Sequence, residues 1–264
     1  MSTLRIAKDR TRQVVVTFSM ALCLVGTMIG VGVFGGPRVQ EAAGGALAAD
    51  ATLIAPAVPA FSIWTPIYLG LVAYTVWQWL PAQKQDQRHR SVGGLVAASM
   101  VLNALWLLVT GQGWLWASLV IMTGLVWVLG TLVAELEERP SFGGPETIIT
   151  DGTFGLYLGW VCVAACANAT ATLVDSGLNP GGITAEISAI LLLAIAAGIG
   201  VYLARRLGGR WAIAVALAWG LAWVAVGRLA GEPHSAVVGL TALAAAIVVV
   251  SATAKCRLAL AATD

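Results

Sequence analysis

The chain alternates long apolar runs with short polar ones, and the apolar runs have the length of a membrane crossing. A helix needs about 20 apolar residues to cross about 30 Å of hydrocarbon. Windows of that kind recur eight times, at roughly 14–35, 60–80, 92–110, 114–134, 153–174, 184–204, 211–229 and 235–254, with ends placed to within about 2–4 residues. The runs are continuous and rich in Leu, Ala and Val, whereas a membrane β-barrel would show a period of two in segments of about 10 residues. The pattern predicts an all-α integral membrane protein with eight transmembrane helices, in contact with lipid along its length.

Composition agrees. Of 264 residues, 59% are hydrophobic and 11% charged, with a mean hydropathy of +0.86, more apolar surface than a water-soluble domain can bury. The first run is too long for the apolar core of a signal peptide, and the cleavage-like Ala46-Leu47-Ala48 lies too far beyond it, so it reads as a membrane anchor.

The formal net charge of +2 says little, but the placement of the cations says more. All of them except Arg38 and Arg228 fall on one side of the eight crossings, from Arg5, Lys8, Arg10 and Arg12 before the first run to Lys255 and Arg257 after the last. The positive-inside rule makes that side cytoplasmic, with both termini inside a bacterial cytoplasmic membrane. The acidic stretch from Glu135 to Asp151 lies on the same side and reads as a solvated loop. Basic residues dispersed over many helix ends do not form the single patch that nucleic acid requires.

Candidate chemistry is sparse. Cys23, Cys162, Cys166 and Cys256 have no zinc or redox spacing, and His89 and His234 fall in loops, so no metal set is expected. No nucleophile–base pair or phosphate loop is visible, which speaks against an enzyme. No span centre carries an ionisable residue, which speaks against proton-coupled transport but leaves a facilitator of an apolar or neutral solute as the alternative function.

Two further features bear on packing. Gly26 and Gly30 have the spacing that lets a second helix backbone approach, either within the chain or in a homodimer. The Ala/Gly/Pro-rich connection 36–59 is long enough to cover the mouth of a bundle, and equally suits a plain spacer.

Polar groups inside the apolar runs point to function. Trp77, Trp79, Trp114, Trp116 and Trp211 sit at run ends, where indoles anchor at the headgroups, but Trp106, Trp127, Trp160, Trp219 and Trp223 lie deeper. Residues three, four or seven apart share a helix face. By that rule Trp64, Tyr68 and Thr75 form one stripe, Ser99, Asn103, Trp106 and Thr110 a second, and Tyr157, Trp160, Ala164, Asn168 and Thr172 a third. An amide left unpaired in hydrocarbon costs several kcal/mol, so Asn103 and Asn168 must face protein, water or a ligand. Aromatic rings with amides on three helices suit a shared pocket for a flat apolar molecule.

These stripes resemble the TspO/MBR family of tryptophan-rich sensory or translocator proteins. Tyr157, Trp160, Ala164 and Asn168 in "YLGWVCVAACAN" resemble its last-helix signature. Trp64, Thr65 and Tyr68 in "IWTPIY" resemble its second-helix element, and Asn103 and Trp106 in "LNALW" its third. The resemblance covers about residues 10–175 and implies a five-helix bundle over 1–175, extended by three additional helices over 176–264. It further implies a sensory or binding role without catalysis, a homodimer, no covalent cofactor, and a porphyrin or similar flat hydrophobic ligand. Trp64, Tyr68, Asn103, Trp106, Tyr157, Trp160, Ala164 and Asn168 are the residues it assigns to the pocket. Two departures stand out. The family's loop Trp-x-Pro-Pro element is absent, since Pro56 and Pro59 are not adjacent to other prolines and 37–63 holds no tryptophan. The charge asymmetry also puts the first loop outside, where the family is drawn with it inside.

Overall fold

The computed structural model of the protein describes residues 3–35, 38–141 and 143–262. Among them no strand occurs, and the chain runs through α1 (Thr3–Gly30), α2 (Trp64–Trp77), α3 (Gln87–Gly111), α4 (Leu115–Glu138), α5 (Thr153–Asp175), α6 (Gly182–Arg206), α7 (Trp211–Ala230) and α8 (Ala236–Ala261). A 3-10 stretch, Val58–Ile63, leads into α2, and a π-helical turn, Thr147–Gly152, leads into α5. All eight helices are long and apolar enough to cross a bilayer. The protein is an all-α, multi-pass membrane protein.

The first five helices close a ring in which α1 touches α2, α2 touches α5, α5 touches α4, α4 touches α3, and α3 returns to α1. On its other side α5 packs on α7, which packs on α8, and α6 leans on α8, α7 and α5. α5 therefore belongs to both groups, and its face toward α7 is cut back to allow close approach. A Cβ at Gly159 would stand 2.3 Å from the Ile213 carbonyl oxygen. The pair Gly26 and Gly30 serves the same purpose within the chain, because Cβ atoms there would come within 3.0 Å of Ala104 and 2.6 Å of Leu107 on α3. Alternation of the helices puts both termini at one end of the bundle and the 31–63 connection at the other, here called the lid end.

Helix starts differ from the hydropathy windows. α3 begins at Gln87 because Asp86 caps it, Oδ1 accepting from the backbone N–H of Arg88 at 2.7 Å and of His89 at 3.3 Å. His89 is consequently helical and fully buried, not in a loop, with its Nε2 3.0 Å from Gln83 Oε1.

The acidic stretch is exposed at 138–140 and 143–145, but Glu137, Glu146 and Asp151 are drawn into ion pairs instead of being left to solvent. Arg88 donates to Glu146 Oε1 at 2.9 Å, to Asp151 Oδ1, and to the Arg139 carbonyl at 2.6 Å. Arg210 reaches the same Asp151 oxygen at 2.5 Å and Glu137 Oε2 at 2.7 Å. These bonds tie α3, α4, the start of α5 and the start of α7 together at the termini end. Arg90 and Asp9 add a bidentate pair, at 2.7 and 2.6 Å, between α3 and α1.

Candidate functional site

The three stripes converge inside the five-helix ring. Trp64 stacks on Tyr68 with ring centroids 5.3 Å apart, which follows from their i, i+4 spacing on α2. From α5, Tyr157 and Trp160 meet Trp64 edge-on at 5.7 and 6.2 Å. Such T-shaped contacts set the electropositive rim of one ring on the face of the other.

The amides are satisfied by neighbours on other helices. Tyr68 Oη accepts from Thr27 Oγ1 on α1 and from Asn103 Nδ2 on α3, both at 2.8 Å, and Nδ2 also lies 3.3 Å from Cys23 Sγ. This links α1, α2 and α3 through one hydroxyl. Tyr157 donates to the Ser99 carbonyl at 3.3 Å. Asn168 Nδ2 donates to Ser118 Oγ on α4 at 3.1 Å, and that hydroxyl in turn donates to the Leu115 carbonyl at 2.7 Å.

Beside this cluster, toward the lid end, lies a cavity of about 50 Å³. Trp106, Trp160, Ala164 and Asn168 form its walls, and the connection after α1 forms its roof through Val39, Ala46, Leu47, Ala48, Thr52, Ala55, Pro56 and Phe61. The connection is thus a lid, not a spacer. Of the eight residues read from the sequence, four line the cavity directly. Trp64, Tyr68, Asn103 and Tyr157 instead form the aromatic and hydrogen-bonded layer next to it, joined through Trp160.

The cavity's chemistry is unbalanced. Trp106 and Trp160 are 8% and 1% exposed, yet neither indole N–H has a hydrogen-bond partner. A buried donor left unmade costs on the order of 1–3 kcal/mol, and two such donors belong to residues that line one hollow. The volume, however, is far below the roughly 300–1,000 Å³ of sites that hold drug-sized molecules. A ligand of that size requires the lid to move.

Several contributors were not read from the sequence. Phe61 meets Trp160 edge-on at 5.6 Å and closes one side of the cavity. Ser118, one of three hydroxyls in its run with Thr123 and Thr131, is the partner of Asn168, and its sequence signal is no stronger than theirs. Trp127 is 70% exposed on the lipid-facing side of α4 and takes no part. At the termini end Asp86, His89 and Glu146 bring potential ligand atoms within 4.8 Å of one another. Both carboxylates are already engaged there, Asp86 as a helix cap and Glu146 by Arg88.

Comparison with known proteins adds a single result. No curated protein and no solved structure matches the chain. A family model described as TSPO-like protein matches residues 13–254, so the match runs through all eight helices instead of stopping after the fifth. With the aromatic and amide stripes gathered inside its five-helix ring, the chain belongs to the TSPO-like protein family.

Proposed function

We propose that the protein is a membrane-embedded binding or sensory protein for a flat hydrophobic small molecule such as a porphyrin. In this reading the molecule sits between Trp106, Trp160, Ala164 and Asn168, and the layer of Trp64, Tyr68, Asn103 and Tyr157 holds those walls in place. The observation that carries the reading is the pair of unpartnered indole N–H groups beside one cavity. A flat π-system offers a face for the rings, and an acceptor at its edge satisfies the donors. Binding without turnover is expected, because among the described residues no Cys, His, Lys or carboxylate lines the cavity to act as a base or to activate the Thr52 hydroxyl. The charge asymmetry supports placing both termini on the cytoplasmic side and the lid outside. Facilitated passage of a neutral solute has no specific observation in its favour.

Tryptophan-fluorescence quenching by protoporphyrin in detergent tests the proposal. Saturable quenching at one site is expected, with affinity at least tenfold weaker in Asn168→Leu, equivalent to about 1.4 kcal/mol. Linear, non-saturable quenching identical in both proteins overturns it.

A further inference from the structure

The lid is fastened from outside the five-helix ring. Arg228, near the end of α7, is 1% exposed, and its guanidinium is held by backbone carbonyls. Nη1 donates to Thr52 at 3.1 Å and Nη2 to Ala49 at 2.9 Å, both in the lid, while Nη2 also reaches Glu232 at 3.0 Å. Two more bonds follow along the same helix. The Ala57 N–H donates to the Trp223 carbonyl at 3.1 Å, and Trp219 Nε1 donates to the Ala60 carbonyl at 2.9 Å. A charged group is costly to bury, and carbonyl dipoles on a loop compensate it only while the loop stays where it is.

The fastened segment is also a partition. On its far side lies a groove of about 640 Å³ between Ala51–Ile54, the end of α5 at Thr170 and Val174, and the start of α6 at Ala185, Ser188 and Leu192. That volume is in the range of small-molecule sites, and no side chain lining the groove is charged. Thr52 lines both the groove and the inner cavity, is 6% exposed, and has a hydroxyl without a partner. A buried, unsatisfied hydroxyl in the wall between two hollows marks a place where a passing molecule finds a hydrogen bond.

We propose that this groove is an access site for an uncharged, apolar molecule bearing a hydrogen-bonding group, and that the Thr52 wall, latched by Arg228, is the gate into the inner cavity. This rests on the binding function proposed above, and it accounts for two of the helices outside the ring, since α6 walls the groove and α7 holds the gate shut. Removing the latch merges the groove with the cavity.

Two measurements decide it. Hydrogen–deuterium exchange without any ligand reads the latch: in Arg228→Met, residues 49–57 should exchange at least tenfold faster than in the wild type while α3 is unchanged. Equal exchange overturns the latch. Should Arg228→Met not fold, Trp219→Phe removes one bond, and faster exchange around Ala60 is then expected; its absence has the same meaning. Stopped-flow quenching by protoporphyrin dimethyl ester, which carries no charge, reads the groove. Ser188→Trp should slow association at least tenfold with little change in equilibrium affinity, because it obstructs the path and not the destination. An unchanged rate with normal affinity sinks the access site alone, whereas no saturable binding to the wild type sinks the binding function and the access site with it, leaving the latch to the exchange data.

Discussion

The two ends of α5 use polar groups in opposite ways. At its start, Asp151 receives Arg88 and Arg210, and the surrounding carboxylates and guanidiniums are matched ion to ion across four helices. Further along, Tyr157, Trp160 and Asn168 are neutral, and the indoles of Trp160 and nearby Trp106 keep donors unused beside a hollow. The first arrangement sets each of these charges against an opposite one, although Asp151 Oδ2 is buried without a hydrogen-bond partner. Under the binding function proposed above, the second is completed by a guest, and the difference then separates a charge-paired structural device from a receptive one although both are buried polar clusters on one helix.

That contrast is best broken from the charged side, where the largest effect is expected. Arg88→Met leaves Glu146 without its cation and Asp151 with Arg210 alone, and should lower stability by about 3–5 kcal/mol, read by thermal unfolding in detergent. Any protein that remains folded should bind ligand as before. A loss of binding with intact stability would merge the two clusters into one site. Tyr68→Phe removes the hydroxyl that joins Thr27 to Asn103, and a cost of about 1–3 kcal/mol is expected, again by unfolding; a neutral result would remove the supporting layer from the account. Ala164→Val should act with opposite signs, raising stability by about 0.5–2 kcal/mol as it fills the cavity while weakening ligand affinity. Both moving in the same direction would show that the hollow is not the site. Trp127→Phe, on the lipid face, should stay within about 0.5 kcal/mol of the wild type with an unchanged binding isotherm.

Much of this is legible in the amino-acid sequence. The eight crossings follow from run length, and the stripes on α2, α3 and α5 from helical period, because each depends on neighbours a few positions away. What stays hidden depends on distant ones. Arg228 reads only as a cation on the side opposite most of the others, and its partner Thr52 lies 176 positions earlier. His89 reads as a loop residue because a hydropathy window is blind to the polar first turn that the Asp86 cap nucleates. The acidic stretch looks solvated until Arg88 and Arg210, far away in sequence, are brought to it. The lid's Ala/Gly/Pro composition suits a spacer equally well, and only its position over Trp106 and Trp160 tells the two apart. Phe61 has no periodic stripe to announce it, since it lies in the 3-10 stretch before α2.

The proposed binding function requires the two unpartnered indoles to be ligand donors. A Soret-band titration of protoporphyrin dimethyl ester into wild type and a Trp106→Phe/Trp160→Phe double variant tests this directly, with no reliance on tryptophan emission. A shift saturating near one equivalent in the wild type, and an affinity at least tenfold lower in the folded double variant, is the expected result. Superimposable isotherms would contradict it and leave the cavity as a packing defect between helices.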